Sequence, residues 1–307
     1  MMLLGILEGL SIVLVPMLLG YALVIKNARY LNYINHIVML LLYVILFVMG
    51  VALGQLDNLA STLPMIAVSA LTFSVCIHAC NIAGLMAYDR YAPVVSQATQ
   101  QDLPPRWRLL LDSCKLCSMV LLGGVVGYYS KGTLNIPFGT STYVLIALIF
   151  FVGIQLRNNG IALKDVIFNR RGLITGAIFI VTSLLGGGIA AWCLDLPITQ
   201  ALAIASGFGW YSLSSVIIHD AWGAVFGSIA FFNDLSREIL SLFIIPFFMQ
   251  RYRSTAVGVA GATALDCTLP IIQRAGGIDV VPLAISFGFV TNIVPPILMV
   301  FFASIPL

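Results

Sequence analysis

Three stretches of the chain place chemically capable residues between flanks that offer no water. The first is Phe232-Asn233-Asp234-Leu235-Ser236-Arg237-Glu238-Ile239. On a helix Asp234, Arg237 and Glu238 share one face. Arg237 is expected to neutralise one carboxylate, and the second acid then leaves a net negative site for a cation or a proton. The plainer reading is a buried Asp234–Arg237 pair that only locks packing. The second stretch is Gly261-Ala262-Thr263-Ala264-Leu265-Asp266-Cys267-Thr268-Leu269-Pro270. Its small residues let another backbone approach, and Pro270 frees a carbonyl. Asp266 has no basic residue within a helical turn, so its carboxyl must meet water, a ligand or a distant cation, or else be protonated. Thr263 and Thr268 flank it. The third runs from Ser206 to Ser215 and includes Gly207, Gly209, Trp210, Tyr211, Ser212 and Ser214. Unwound there, freed N–H groups and hydroxyls could hold a carboxylate, and the two aromatic rings could flank an apolar or cationic chain. A surface turn in an interfacial aromatic belt is the alternative.

Other polar residues carry weaker signals. Gln155, Asn158 and Asn159 close an apolar stretch and read as end-caps or cavity lining. Asp112 and Lys115 are spaced to pair with each other. Glu8 and Asn81 are lone polar residues in apolar surroundings. His36, His78 and His219 have no metal-ligand spacing, and the CxxC of Cys114 and Cys117 has no second pair beside it, so no metal site and no cofactor are expected.

These residues need a scaffold, and composition names its solvent. Of 307 residues, 60% are hydrophobic and only 9% are charged, with mean hydropathy +1.04. A soluble domain carries roughly 25% charged residues, so lipid is the solvent that fits. The net charge of +3 is too small to imply a nucleic-acid partner. Apolar stretches able to cross a bilayer lie at 4–24, 34–54, 62–87, 109–129, 142–157 and 172–193. Beyond 195 the pattern is interrupted. The region 200–250 contains Gly207-Phe208-Gly209, His219-Asp220 and Asn233-Asp234, while 254–273 is rich in small residues. A clean span returns at 280–305.

Basic residues set the orientation. Lys26 and Arg29, then Arg90, Arg106 and Arg108, then Arg157, Lys164, Arg170 and Arg171 follow odd-numbered spans. The positive-inside rule places those loops in the cytoplasm and the N-terminus in the periplasm, with the first span a retained helix and not a cleaved signal. Arg251 and Arg253 belong inside as well. An all-α polytopic membrane protein with about eight transmembrane helices plus two re-entrant or broken segments, near 200–222 and 254–273, satisfies this; ten full crossings can also be drawn. The chain divides into a three-helix unit (1–95), a Gln- and Pro-containing cytoplasmic linker (96–108), a second three-helix unit (109–198) and a broken-helix binding region with the last span (199–307). The run Leu46-Phe47-Val48-Met49-Gly50-Val51-Ala52-Leu53 parallels Ile149-Phe150-Phe151-Val152-Gly153-Ile154-Gln155-Leu156. Three spans per unit is odd, so the second unit is expected upside down, an inverted repeat of the kind that secondary transporters use.

The runs Gly207–Ser214, Phe151–Gly160 and Phe231–Glu238, with Gly261-Ala262-Thr263 and Asp266 before Thr268-Leu269-Pro270, resemble the LysO family of bacterial lysine exporters. The likeness covers nearly the whole chain and is weakest from 96 to 107. It implies export of L-lysine and of toxic analogues such as thialysine across the bacterial inner membrane. It also implies that acids matching Glu238 and Asp266 serve transport. Lysine leaves as a cation against an inside-negative potential, which costs about 2.3 kcal/mol per charge per 100 mV, so net export needs an inward-moving ion. A proton competing for a shared carboxylate is the simplest antiport design; sodium stays open as the coupling ion. A sodium-coupled organic solute symporter is the alternative function. No HExxH, GxSxG or paired acidic metal motif points to an enzyme. Lipid and a homo-oligomeric partner are the expected neighbours.

Overall fold

The computed structural model describes residues 15–55 (17 and 26 excepted), 59–93, 106–130, 134, 137, 140–158, 169–265 and 268–305. Regular structure among the described residues is entirely helical. In order the elements are α1 (Ala28–Gly54), α2 (Leu59–Tyr91), α3 (Arg106–Tyr129), α4 (Thr140–Asn158), α5 (Arg170–Leu194), α6 (Ile198–Ala205), α7 (Tyr211–Trp222), α8 (Ala224–Phe248), α9 (Arg253–Ala260), a 3₁₀ turn (Gly261–Leu265), α10 (Leu269–Gly276) and α11 (Val281–Ala303). The helix α3 starts inside the stretch read as linker, at Arg106. The first apolar stretch falls mostly outside the described residues; only its last turns, near 18–22, are seen, and they are helical.

Helices α1, α2, α5 and α11 are long and apolar enough to cross a bilayer. Their outer faces are apolar too. Val68, Leu71 and Val75 of α2, Leu121, Leu122 and Val125 of α3, and Val181, Leu185, Ile189 and Trp192 of α5 are all exposed. Such stripes at helical spacing would precipitate a soluble protein and are at home in lipid.

Arg90, Arg171, Arg251 and Arg253 gather at one end. Arg171 of α5 binds Asp89 of α2 at 2.7 Å. Arg90 and Arg251 both lie over the Tyr252 ring. Asp89 also accepts from the Ser254 and Thr255 amides at 3.1 and 2.8 Å and from the Thr255 hydroxyl at 2.9 Å. It therefore caps α9 from a different helix, satisfying N–H groups that have no partner within their own helix.

Both interrupted regions are hairpins that return to the side they entered. The first is α6–α7. Leu194, Leu196 and Trp222 share one apolar cluster at the far end. From there α8 runs back antiparallel to α7, with Gly227 against Ser215 and His219. The second is α9–α10, whose two outer ends meet at the basic end, where Arg253 donates to the Gly276 carbonyl at 3.4 Å. Neither hairpin carries the chain to the opposite end; of the helices that follow α5, α8 is continuous over 25 residues and α11 is long and apolar enough to cross a bilayer.

Helices α1, α3 and α4 pack together, while α2, α5 and the hairpins build a second body with α8 and α11. Within the first body two contacts match. A Cβ on Gly20 would collide with the Phe150 carbonyl and approach the Ile154 amide; a Cβ on Gly123 would do the same to Phe47 and Val51. Phe47 and Phe150, and Val51 and Ile154, are equivalent positions of the internal sequence match. Gly20 and Gly123 are separated by the same number of residues as either pair.

Candidate functional site

The two hairpin tips touch near the middle of the second body. The Ala262 amide donates to the Phe208 carbonyl at 2.8 Å. Phe208 is held at φ 53, a conformation costly for a bulky residue. Its ring packs edge-on to Phe179, 5.3 Å between centroids. On either side of the contact stand Gly209 (φ 96) and Gly261 (φ 61). Side chains there would strike Arg237 and, at Gly261, the Phe208 carbonyl as well. Glycine is required at this crossing for both its backbone angle and its size.

Each tip is held by a polar residue from the long helix that follows it. Asp234 of α8, 1% exposed, accepts from the Gly209 amide at 3.1 Å, from the Ser214 hydroxyl, and from Asn233 Nδ2 at 3.1 Å. A Cβ on Gly207 would run into the same carboxylate. Asn292 of α11 donates to the Ala262 carbonyl at 2.8 Å and to Gly288 at 2.7 Å. Within the second tip the Thr263 hydroxyl donates to Ala260 at 2.8 Å, and the Thr268 hydroxyl donates to Thr263 at 2.9 Å.

The expected Asp234–Arg237 pair is not formed. Sharing a helix face was sufficient for proximity but not for contact. The hairpin tip supplies two closer donors to Asp234 and the neighbouring Asn233 a third, and the length of Arg237 carries its guanidinium away. Its stem threads between Gly209 and Gly261. The head donates to the Val259 carbonyl at 3.5 Å and lies 5.1 Å over the Phe179 ring. Arg237 is 2% exposed. Glu238, next on α8, is half-buried.

A cavity of about 360 Å³ lies where the tips face the first body. From the tips it is lined by Gly209, Trp210, Tyr211, Ser212, Ala262, Thr263 and Leu265. Asn292 comes from α11, Asn35 and Met39 from α1, and Val152 and Gln155 from α4. The α1 residues belong to the half of that helix that starts at Arg29, and the α4 residues to the half that ends at Arg157, so the cavity lies towards the basic end. Across it Gln155 Nε2 donates to Asn35 Oδ1 at 2.7 Å, leaving one further amide group on each residue for a ligand. Apart from those amides and that of Asn292, the polar lining comprises hydroxyls, aromatic edges and backbone.

Of the residues singled out in sequence, the structure brings Gln155, Gly209, Trp210, Tyr211, Ser212 and Thr263 to this cavity. Asp234, Asn233, Ser214 and Gly207 lie behind it, supporting the first tip. Thr268 supports the second tip, while Ser206 turns back to the Leu202 carbonyl at 2.7 Å. Asn158 binds the Ile25 amide at 2.9 Å and the Leu23 carbonyl at 3.3 Å, tethering the chain ahead of α1. Asp266 and Asn159 lie outside the described residues, as do Glu8 and the side chain of Asp112. Sequence reasoning missed Asn35 and Asn292. Asn292 did carry a signal, a lone amide in an apolar span three residues before Pro295-Pro296. Asn35 sits at the polar start of an apolar stretch, beside Asn32 and His36, and that position carries no signal of a cavity.

Broken helices meeting beside a polar cavity within a lipid-facing bundle define a membrane transport protein. The family model for the lysine exporter LysO matches residues 117–303. The chain is 47% identical to the lysine exporter LysO of Escherichia coli (strain K12), over 97% of this chain and 99% of that protein. It is 65% identical to a Haemophilus influenzae protein with the provisional name of a lysine exporter, over 63% of this chain and 99% of that protein. No solved structure matches the chain. The chain belongs to the LysO lysine-exporter family.

Proposed function

We propose that this protein exports L-lysine, and analogues such as thialysine, across the bacterial inner membrane by proton antiport. The observation that carries this reading is the cavity at the meeting of the two tips, walled on its other side by α1 and α4. Tyr211 and Ser212 open α7, and the first N–H groups of a helix have no carbonyl partner within it. They suit the α-carboxylate of an amino acid. Trp210 and the amides of Asn35 and Gln155 suit its apolar chain and amino groups. The carboxylates of α8, with Asp266, are the groups that lysine and a proton would compete for, and Glu238 and Asp266 are the principal pair. The basic end is then the cytoplasmic one, the N-terminus is periplasmic, and the cavity faces the side from which lysine leaves.

The matched contacts of Gly20 and Gly123 support reading 1–95 and 109–198 as inverted copies, joined by the linker 96–108. An inverted pair gives the molecule two related conformations, facing in and facing out. The test is lysine flux in proteoliposomes under an imposed proton gradient, comparing wild type with Glu238→Gln and Asp266→Asn. Gradient-driven flux in the wild type, lost in both variants, is the expected result. Flux driven by sodium and not by protons would replace the coupling ion. Wild-type export by a correctly inserted double variant would overturn the assignment of the acids.

A further inference from the structure

Between α8 and α9, Tyr252 holds two arginines that come from different parts of the chain. Arg90, in the last turn of α2, has its guanidinium carbon 5.9 Å from the ring centroid, and that of Arg251 is 5.4 Å from the same point. Both arginines are exposed, while Tyr252 is half-buried. The ring is fixed in place. It packs edge-on to Phe248, 6.0 Å between centroids. The Tyr252 amide donates to the Phe248 carbonyl at 2.7 Å, and the Tyr252 carbonyl accepts from the Ala256 amide at 2.9 Å.

Two guanidinium groups on one ring bring like charges together, which is unfavourable without an anion between them. The carboxylates at this end are already committed. Asp89, next to Arg90, gives Oδ1 to Arg171 and the Ser254 amide, and Oδ2 to the Thr255 amide and hydroxyl. The charge of Asp279 falls on Arg253. Among the described residues, neither Arg90 nor Arg251 has an ion pair or a side-chain hydrogen bond. The Tyr252 ring attracts both cations but leaves their N–H groups free to meet an anion. The surroundings select its kind. Leu240, Phe243 and Phe247 are exposed along one face of α8, and Phe247, 79% exposed, is one turn before Arg251. On α2 the exposed positions that lead to Arg90 are Ala79, Ala83 and Ala87. Two apolar stripes thus run up to two charged heads, the same order as chains and headgroup in a phospholipid.

We propose that Arg90 and Arg251, held on Tyr252, form a binding site for the phosphate headgroup of an anionic phospholipid whose acyl chains lie along the outer faces of α2 and α8. The guanidinium fork matches phosphate oxygens, and basic pockets between helices at a membrane surface take such headgroups. Two cations without a carboxylate favour a lipid of net negative charge over a zwitterionic one, whose own cation they would repel. A headgroup there joins the end of α2 to the start of α9. It therefore braces the root of the second hairpin, the same root that Asp89 caps from beside Arg90. The site is separate from the lysine cavity, and its test does not depend on transport.

The probe is phosphatidylglycerol, titrated into the purified protein in neutral detergent and counted by native mass spectrometry. Phosphatidylcholine and inorganic phosphate are the comparisons. Wild type should retain phosphatidylglycerol in preference to phosphatidylcholine. Arg90→Gln and Arg251→Gln should each weaken that binding about fivefold, and the double variant about twenty-five-fold, on the scale of one surface arginine at a time. Arg90→Lys and Arg251→Lys keep the charge and should recover part of the binding, which a misfolded variant would not. Arg29→Gln removes the same charge from the exposed start of α1 and should leave the affinity unchanged. Equal weakening in Arg29→Gln would mean diffuse attraction to a basic surface, and wild-type retention by the double variant would remove the two arginines from the site; either overturns the proposal. Inorganic phosphate that raises the melting temperature as much as phosphatidylglycerol, with both effects lost in the double variant, would make this a soluble-anion site and overturn the lipid assignment.

Discussion

The two hairpin tips are built alike and fastened differently. Both leave a long apolar region at a glycine-rich break, both return to the end they came from, and both are gripped by one polar side chain from the next crossing helix. The first tip is gripped by an acceptor, Asp234, which takes the Gly209 amide and the Ser214 hydroxyl. The second is gripped by a donor, Asn292, which gives to the Ala262 carbonyl. One fastening can change its charge and the other cannot. A carboxylate that loses its charge also weakens its hold on two donors, so protonation and the position of the first tip are physically linked. The second tip has a fixed fastening.

The largest expected effect comes from removing the charge at the first fastening. Asp234→Asn turns one acceptor oxygen into a donor, so either the Gly209 amide faces a donor or the Ser214 hydroxyl loses its acceptor, a buried loss costing about 1–3 kcal/mol. Lysine transport should be lost and the thermal transition in detergent lowered. Normal transport by this variant would break the link between charge and tip position. Next is the crossing itself. Gly261→Ala adds a left-handed strain of roughly 1–2 kcal/mol and drives a methyl into the Phe208 carbonyl, so transport should fall while the protein still inserts.

At the second fastening, Asn292→Ala should cost about 1 kcal/mol and Asn292→Asp more, because a carboxylate would then face the Ala262 and Gly288 carbonyls. The order of their melting temperatures checks this, and the reverse order would mean that the tips are not fastened in opposite senses. A smaller effect is expected at the cavity wall. Trp210→Ala should raise the lysine concentration for half-maximal flux by about fivefold, the worth of roughly 1 kcal/mol of cation–ring contact. Asn158→Ala should be the mildest: it loosens a tether at the end of α4, costing about 1 kcal/mol or less, and leaves lysine recognition intact.

The hairpins were legible in sequence because their signal is local. Glycines and charges interrupting apolar runs at 207–209, 219–220 and 261–266 cannot sit in lipid as continuous helix, whatever packs around them. The partners of those residues were not legible. Asp234 and Arg237 are three apart, so helical spacing suggested a pair; the donors that displace it come from a hairpin whose register is set by packing. Asn35 and Gln155 are far apart in sequence, as are Asp89 and the two amides that it caps. Nothing short of the folded arrangement joins them. The cavity residues that were found, Trp210, Tyr211 and Ser212, were found because they sit inside a break.

The central claim is that lysine occupies the cavity between the tips and helices α1 and α4. It is tested most directly by placing a single cysteine at Gln155 in a background from which the six native cysteines are removed, and timing its reaction with a membrane-permeant thiol reagent. The account predicts that L-lysine slows labelling in a saturable way and that an uncharged amino acid of similar length protects less. Labelling at an unchanged rate under saturating lysine, in protein that still transports it, would contradict the placement of the substrate here.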